Sequence, residues 1–179
     1  MQSDPYKLID LAELTDDENV KRKALRAAIG LLAEMDAPSA DVSYALGYAW
    51  YLMPDETEER RRQVFRHLDA ALQKMPEHLY ARMYLAHHYF DTSQYAFALP
   101  ILQGFGPEDF AAKGQEWRDV KVAELILVCL LELHDDIRIP SAVQYLFECV
   151  NRADVSDVPM ATELATALQR LIHASSMEN

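Results

Sequence analysis

The stretch Leu79–Phe105, LYARMYLAHHYFDTSQYAFALPILQGF, decides how the rest of the chain is read. It holds two apolar-periodic segments around a short polar one. Its spacing predicts a helix over Glu77 to Phe90, a tight turn at Asp91-Thr92-Ser93 and a returning helix over Gln94 to Gln103. Gly104-Phe105-Gly106-Pro107 then stops the pattern. Leu85, Ala86 and Tyr89 share one face of the first helix. Tyr95, Ala98 and Leu102 share one face of the second. The two alanines have a physical job. Small side chains let helix backbones approach closely, and larger neighbours fill the gaps that remain.

The same order recurs on both sides. In Ala40 to Pro76, Leu46-Gly47 and Trp50 stand where Leu85-Ala86 and Tyr89 stand later, and Leu68, Ala71 and Pro76 close the second helix. The loop Pro54 to Thr57 lengthens this copy. A weaker copy runs from Trp117 to Arg152, with Val122-Ala123 and Ile126 followed by Val143 and Phe147. Further helices flank these pairs. Asp4-Pro5 opens a short one, proline being preorganised for a first helical position. Thr15-Asp16-Asp17-Glu18 has a capping-box pattern, and the helix after it runs to about Met35. Pro38-Ser39 ends that helix and caps the next, Ala40 to Met53. Glu58 to Lys74 follows. A long pattern from Glu108 to Leu133 has a break expected near Gly114. Pro140 starts a helix to Arg152, and Asp157-Val158-Pro159 starts a last one to about Ala174.

This repeated unit resembles the tetratricopeptide repeat (TPR), most closely over Ala40 to Phe105. The resemblance implies an all-α, antiparallel helix-hairpin solenoid, a TPR-like α-α superhelix of about eight or nine helices. It would form one helical-repeat domain over 1–179. The parts are amino-terminal helices (1–38), two repeat-like pairs (40–76 and 77–106), a degenerate third pair (107–153) and a carboxyl-terminal capping helix (157–174). It also implies that the first helix of each pair lines a concave, partner-binding surface. The face left for that surface carries Asp41, Tyr44, Tyr48 and Tyr51 in the first copy. In the second it carries Tyr80, Met83, His87 and Asp91, with Phe90 beside them. Trp117 and Glu124, with Leu127, hold the equivalent places in the third. Tyr44, Tyr48 and Tyr51 are spaced by four and three, so they form one stripe. Such a stripe serves either as a binding groove, where stiff amphipathic aromatics excel, or as core beneath another helix. Family members that grip a peptide carboxylate do so with Lys, Arg and Asn. Tyr48 and His87 on this face point away from that mode.

Composition narrows the function. The formal net charge is −12. Nucleic-acid binding depends on clustered Lys and Arg, so no nucleic-acid partner is expected. A basic or apolar protein or peptide surface suits the charge better. The longest apolar run, Leu125 to Leu131, has seven residues between Glu124 and Glu132. A bilayer needs about 20, so no membrane partner is expected. Met1 to Asp10 has no apolar stretch of the signal-peptide kind. Cys129 and Cys149 lie in apolar helical stretches outside any zinc spacing and read as buried free thiols in a reducing cytosol. A cytoplasmic location is expected.

Catalysis finds little support. His87-His88 with Asp91 is the densest chemical cluster, and one His–Asp pair is too few ligands for a metal. No phosphate loop, GxSxG or GxGxxG motif is present. Glu58-Glu59-Arg60-Arg61-Arg62 reads as exposed ion pairs. We therefore expect no catalytic residues, no metal, no cofactor and no enzyme. The expected function is that of a protein-binding adaptor or scaffold. The alternative is a small acidic immunity- or antitoxin-type inhibitor of a basic toxin or nuclease.

Overall fold

The computed structural model describes residues 4–106 and 108–153. The described chain is all-helical, with no strand among those residues. Eight α-helices follow one another: α1 Pro5–Leu14, α2 Glu18–Ala33, α3 Ala40–Leu52, α4 Glu58–Lys74, α5 Leu79–Asp91, α6 Tyr95–Leu102, α7 Glu116–Glu132 and α8 Ile139–Arg152. A single 3-10 turn, Ala111–Lys113, precedes α7. The capping helix expected over 157–174 lies outside the described residues.

The starts of α1 to α4 follow from short polar side chains that satisfy the first orphan N–H groups. Asp4 accepts from the Tyr6 N–H beside Pro5. Asp17 accepts from the Asn19 and Val20 N–H groups at 2.8 and 3.2 Å. The cap of α2 is therefore Asp17 rather than the expected Thr15. Thr15 Oγ1 instead accepts from the Asp17 N–H, which sets the approach to the helix. Ser39 and Thr57 cap α3 and α4 through the Val42 and Arg60 N–H groups. The long pattern after Gly106 is interrupted as expected. Gly114 ends the 3-10 turn at φ 67°, a left-handed conformation that costs glycine little.

The chain divides into two compact units between His88 and Tyr89, within α5. In the first unit α1 packs on α2, α2 on α3 and α3 on α4, with a smaller contact between α1 and α3. Its core joins Ile9 and Ala12 to Ala24, Leu25, Ala28 and Leu32, and to Ala45, Leu46, Ala49 and Met53. The closest approach is α3 to α4. A methyl group on Gly47 would lie 2.7 Å from Leu68 Cδ2 and 3.1 Å from the Leu68 backbone nitrogen. Glycine is needed there for space, not for backbone freedom. The loop between α3 and α4 is tied to α2, since Arg22 grips Asp55 with Nε at 2.8 Å and Nη2 at 3.0 Å. That pairing holds the Asp55 carboxyl below the usual range.

In the second unit α7 is central and packs on α6, on α8 and on the 3-10 turn. From Val120 to Leu130 every residue but Lys121 is buried. This explains the unbroken apolar run as a helix enclosed on most of its circumference. Asp119 pins the turn to α7 by accepting from the backbone N–H groups of Phe110 and Ala111. Burial still pushes its carboxyl above the usual range. Cys129 and Cys149 are buried free thiols, and burial pushes Cys129 up to about 12. Among the described residues no helix is long and apolar enough to cross a membrane.

Candidate functional site

The densest cluster of recognition-type side chains lies in the first unit, where α3 and α5 meet through their aromatic stripes. Tyr44, Tyr48 and Tyr51 form the row on α3. Tyr80, Tyr84 and His87, with the same four-and-three spacing, form the row on α5. Tyr44 lies 5.7 Å from Tyr48 between ring centroids, nearly parallel at 8°. It also reaches Tyr80 at 6.0 Å and Tyr84 at 6.2 Å. Tyr84 is the keystone, at 4.4 Å from Tyr48, 5.3 Å from Tyr51 and 6.0 Å from His87. Tyr51 meets His87 at 6.4 Å, edge to face. The contacts advance in the same direction on both helices, from Tyr44 with Tyr80 to Tyr51 with His87. The two rows therefore run parallel. Offset and edge-on ring pairs add about 0.5–1.5 kcal/mol each beyond their burial.

Polar groups fix this array at three points. At one end His78, buried just before α5, takes two bonds. Its Nδ1 accepts from the Ala81 N–H at 3.1 Å, which caps α5. That bond leaves the ring proton on Nε2, which donates to Asp41 Oδ1 at 3.2 Å. The His78 ring also packs 4.9 Å from Tyr44. In the middle the Tyr48 hydroxyl donates to the Glu13 carboxylate on α1. Burial, then the neighbouring Tyr84 and the Glu13 bond, push the Tyr48 phenol well above its ordinary value. At the other end Arg60 stands 5.8 Å from the Tyr51 ring centroid. Its guanidinium donates to the carbonyls of Trp50 (3.2 Å) and Tyr51 (2.5 Å) in the last turn of α3, and to Glu56. One arginine of the run expected to form exposed ion pairs is thus a half-buried helix cap, while Arg62 keeps an exposed pair with Glu59 at 2.6 Å.

The expected site residues are distributed unevenly. Asp41, Tyr44, Tyr51, Tyr80 and His87 come together, the acid exposed and the rings half-buried. Tyr48 belongs to the same array but is only 8% exposed, because α1 covers it. It anchors the cluster and offers little surface. Met83 is 1% exposed and points into the core. The residue on α5 that joins the stripe is Tyr84, one position on. The repeated four-and-three spacing at 80, 84 and 87 was the available signal for it. Asp91, Trp117 and Glu124 belong to the second unit. Asp91 is exposed, and Trp117 is 49% exposed with the Arg118 guanidinium 4.4 Å from its ring centroid. Glu124 is buried and meets Lys121 Nζ at 3.1 Å, and Leu127 is fully buried. Neither offers surface to a partner, since α7 is enclosed over this length.

His88, next to His87 in sequence, points elsewhere. It is buried, and burial together with Arg60 and Arg61 holds its imidazole below the ordinary value. His87 and Asp91 fall on either side of the division between the units. Among the described residues no group of three or more His, Cys, Asp or Glu is arranged to hold a metal ion. Comparison with protein-family models, with curated proteins and with solved structures finds no match for this chain.

Proposed function

We propose that this chain is a non-catalytic, TPR-like protein-binding module, an adaptor or scaffold that holds a basic or apolar protein surface against the α3–α5 aromatic array. The observation that carries the reading is the array itself. Five tyrosines and two histidines from consecutive stripes are held in register by His78, Glu13 and Arg60, and several rings remain partly open. Rigid, amphipathic rings that need little further ordering are what binding hot spots use. The parallel register of the α3 and α5 rows supports the TPR-like arrangement, in which first helices of successive pairs lie side by side. The exposed carboxylate of Asp41 at the rim, and the −12 charge of the whole chain, favour a cationic partner. Arg60 over Tyr51 is an internal example of a guanidinium on one of these rings.

The charge also favours the inhibitor form of the same reading, in which the partner is a basic toxin or nuclease. Salt separates the two. Capture from lysate of the source cell at low and high salt, with wild type beside Tyr80→Ala and His87→Ala, tests the proposal. An inhibitor of a basic protein would lose its partner steeply as salt rises. An adaptor for an apolar segment would hold it. A partner retained equally by wild type and by both variants would place binding elsewhere.

A further inference from the structure

The second unit contains an open cavity of about 540 Å³ bounded by the end of α6, by α7 and by α8. Its volume falls within the range of small-molecule sites, roughly 300–1,000 Å³. The lining has two characters. Phe105, Ile126, Leu130 and Ala142 are buried apolar side chains and supply the apolar part. Arg138, just before α8, and Tyr145, Glu148 and Arg152 along it supply the polar part.

The polar groups are not equally committed. Arg138 is answered by Asp135, with nitrogen–oxygen distances of 2.7 and 2.9 Å. Glu148 accepts from Gln144 at 3.1 Å. Arg152 differs. Its guanidinium donates to Cys149 Sγ at 3.2 Å, and a thiol is a weak acceptor. Among the described residues no carboxylate lies within ion-pair distance of it, Glu148 one turn away included. Asp119, which also faces Arg152 and Tyr145, spends its carboxylate on the Phe110 and Ala111 N–H groups. Tyr145 keeps its phenol proton, since burial and the Cys149 bond push it up to about 12. An apolar pocket whose wall carries a guanidinium bound, among the described residues, only to sulfur, beside a phenol, suits a ligand with an anionic head and a hydrocarbon body.

We propose that this cavity binds a small amphipathic carboxylate, its head on Arg152 and its apolar body against Phe105, Ile126 and Leu130. The site is separate from the α3–α5 array, so either reading can fail without the other. The chain's net charge makes the proposal discriminating. A −12 protein attracts cations in general, so preference for an anion requires a local cause.

The test uses three probes of one chain length on the full chain: octanoate, octanol and octylammonium, followed by amide chemical shifts. The expected order of affinity is octanoate, then octanol, then octylammonium, with shifts centred on Arg138 to Arg152. Arg152→Gln lowers octanoate affinity about tenfold or more and leaves octanol unchanged. Ser141→Trp, at an exposed position on the cavity wall, blocks both without touching the core. Absence of octanoate binding at millimolar concentration, preference for octylammonium, or equal octanoate binding by wild type and Arg152→Gln would overturn the proposal.

Discussion

Substituting Gly47 by alanine tests the close approach of α3 to α4, and the same substitution at Gly30 supplies its control. A methyl group at Gly47 would lie 2.7 Å from Leu68 Cδ2, 2.8 Å from Leu68 Cγ and 3.1 Å from the Leu68 nitrogen. Carbon atoms pack at about 3.5–4.0 Å, so the helices would need to part by close to an ångström. Leu68 is fully buried and cannot swing aside, and its backbone cannot move without α4. Overpacking of this kind costs about 1–3 kcal/mol. The intrinsic preference of a helix for alanine returns at most about 1 kcal/mol. The net result is a loss of about 0–2 kcal/mol. Gly30, exposed on α2, has nothing within 4 Å of the added methyl. There the helix preference acts alone, and Gly30→Ala should stabilise by about 0.5–1 kcal/mol. Urea unfolding followed by circular dichroism measures both variants against wild type. The expected midpoints move in opposite directions at unchanged slope. A Gly47→Ala variant as stable as Gly30→Ala would refute the close approach and the helix pairing drawn from it.

Three further expectations concern the buried polar groups. Tyr48→Phe removes the hydroxyl bond to Glu13 and should cost about 1 kcal/mol at neutral pH. The folded chain holds the Tyr48 proton more tightly than the unfolded chain, so its contribution is complete below about pH 10 and is lost as pH rises beyond that. Unfolding free energies across the alkaline range should show a steeper decline for wild type than for Tyr48→Phe. His88 is held below its ordinary value, so its neutral form favours folding, and stability should fall as pH drops below about 6.5. His88→Gln should flatten that decline, and an unchanged acid limb would reject a buried neutral imidazole. Asp119→Ala strips the backbone N–H groups of buried Phe110 and half-buried Ala111 of their acceptor and should destabilise the second unit by about 2–4 kcal/mol, with Asp119→Asn milder. Amide exchange at Phe110 and Ala111 reports the loss directly.

Much of this architecture was legible in the sequence because helix ends are chemical. Asp4-Pro5, Ser39 and Gly114 each satisfy or break a backbone group locally, and each acts where it was expected, while Thr57, read only as the end of a loop, also caps α4. The displaced cap at Asp17 shows the limit of such patterns, since Thr15 and Asp17 are both able acceptors. The aromatic stripe on α3 was legible from its spacing. Which helix covers it was not. Periodicity assigns Tyr44, Tyr48 and Tyr51 to one face but contains nothing about Glu13 arriving from α1. Met83 and Tyr84 are one position apart, and the angle between them is enough to exchange core for cluster. Arg60 looked like its neighbours Arg61 and Arg62 because the carbonyls it caps belong to another helix. The cavity beside Arg152 depends on the distance between three helices, which no local pattern encodes.

The central claim is that the α3–α5 aromatic array holds another protein. Its most direct test is the affinity of the captured partner for wild type, Tyr80→Ala, His87→Ala and, as a control on the other unit, the exposed Ile137→Ala. All four should show wild-type circular dichroism. Truncating a hot-spot ring costs about 2 kcal/mol or more, a loss of about thirtyfold. The account predicts that loss for Tyr80→Ala or His87→Ala, and none for Ile137→Ala. Equal affinity across all four proteins would contradict it.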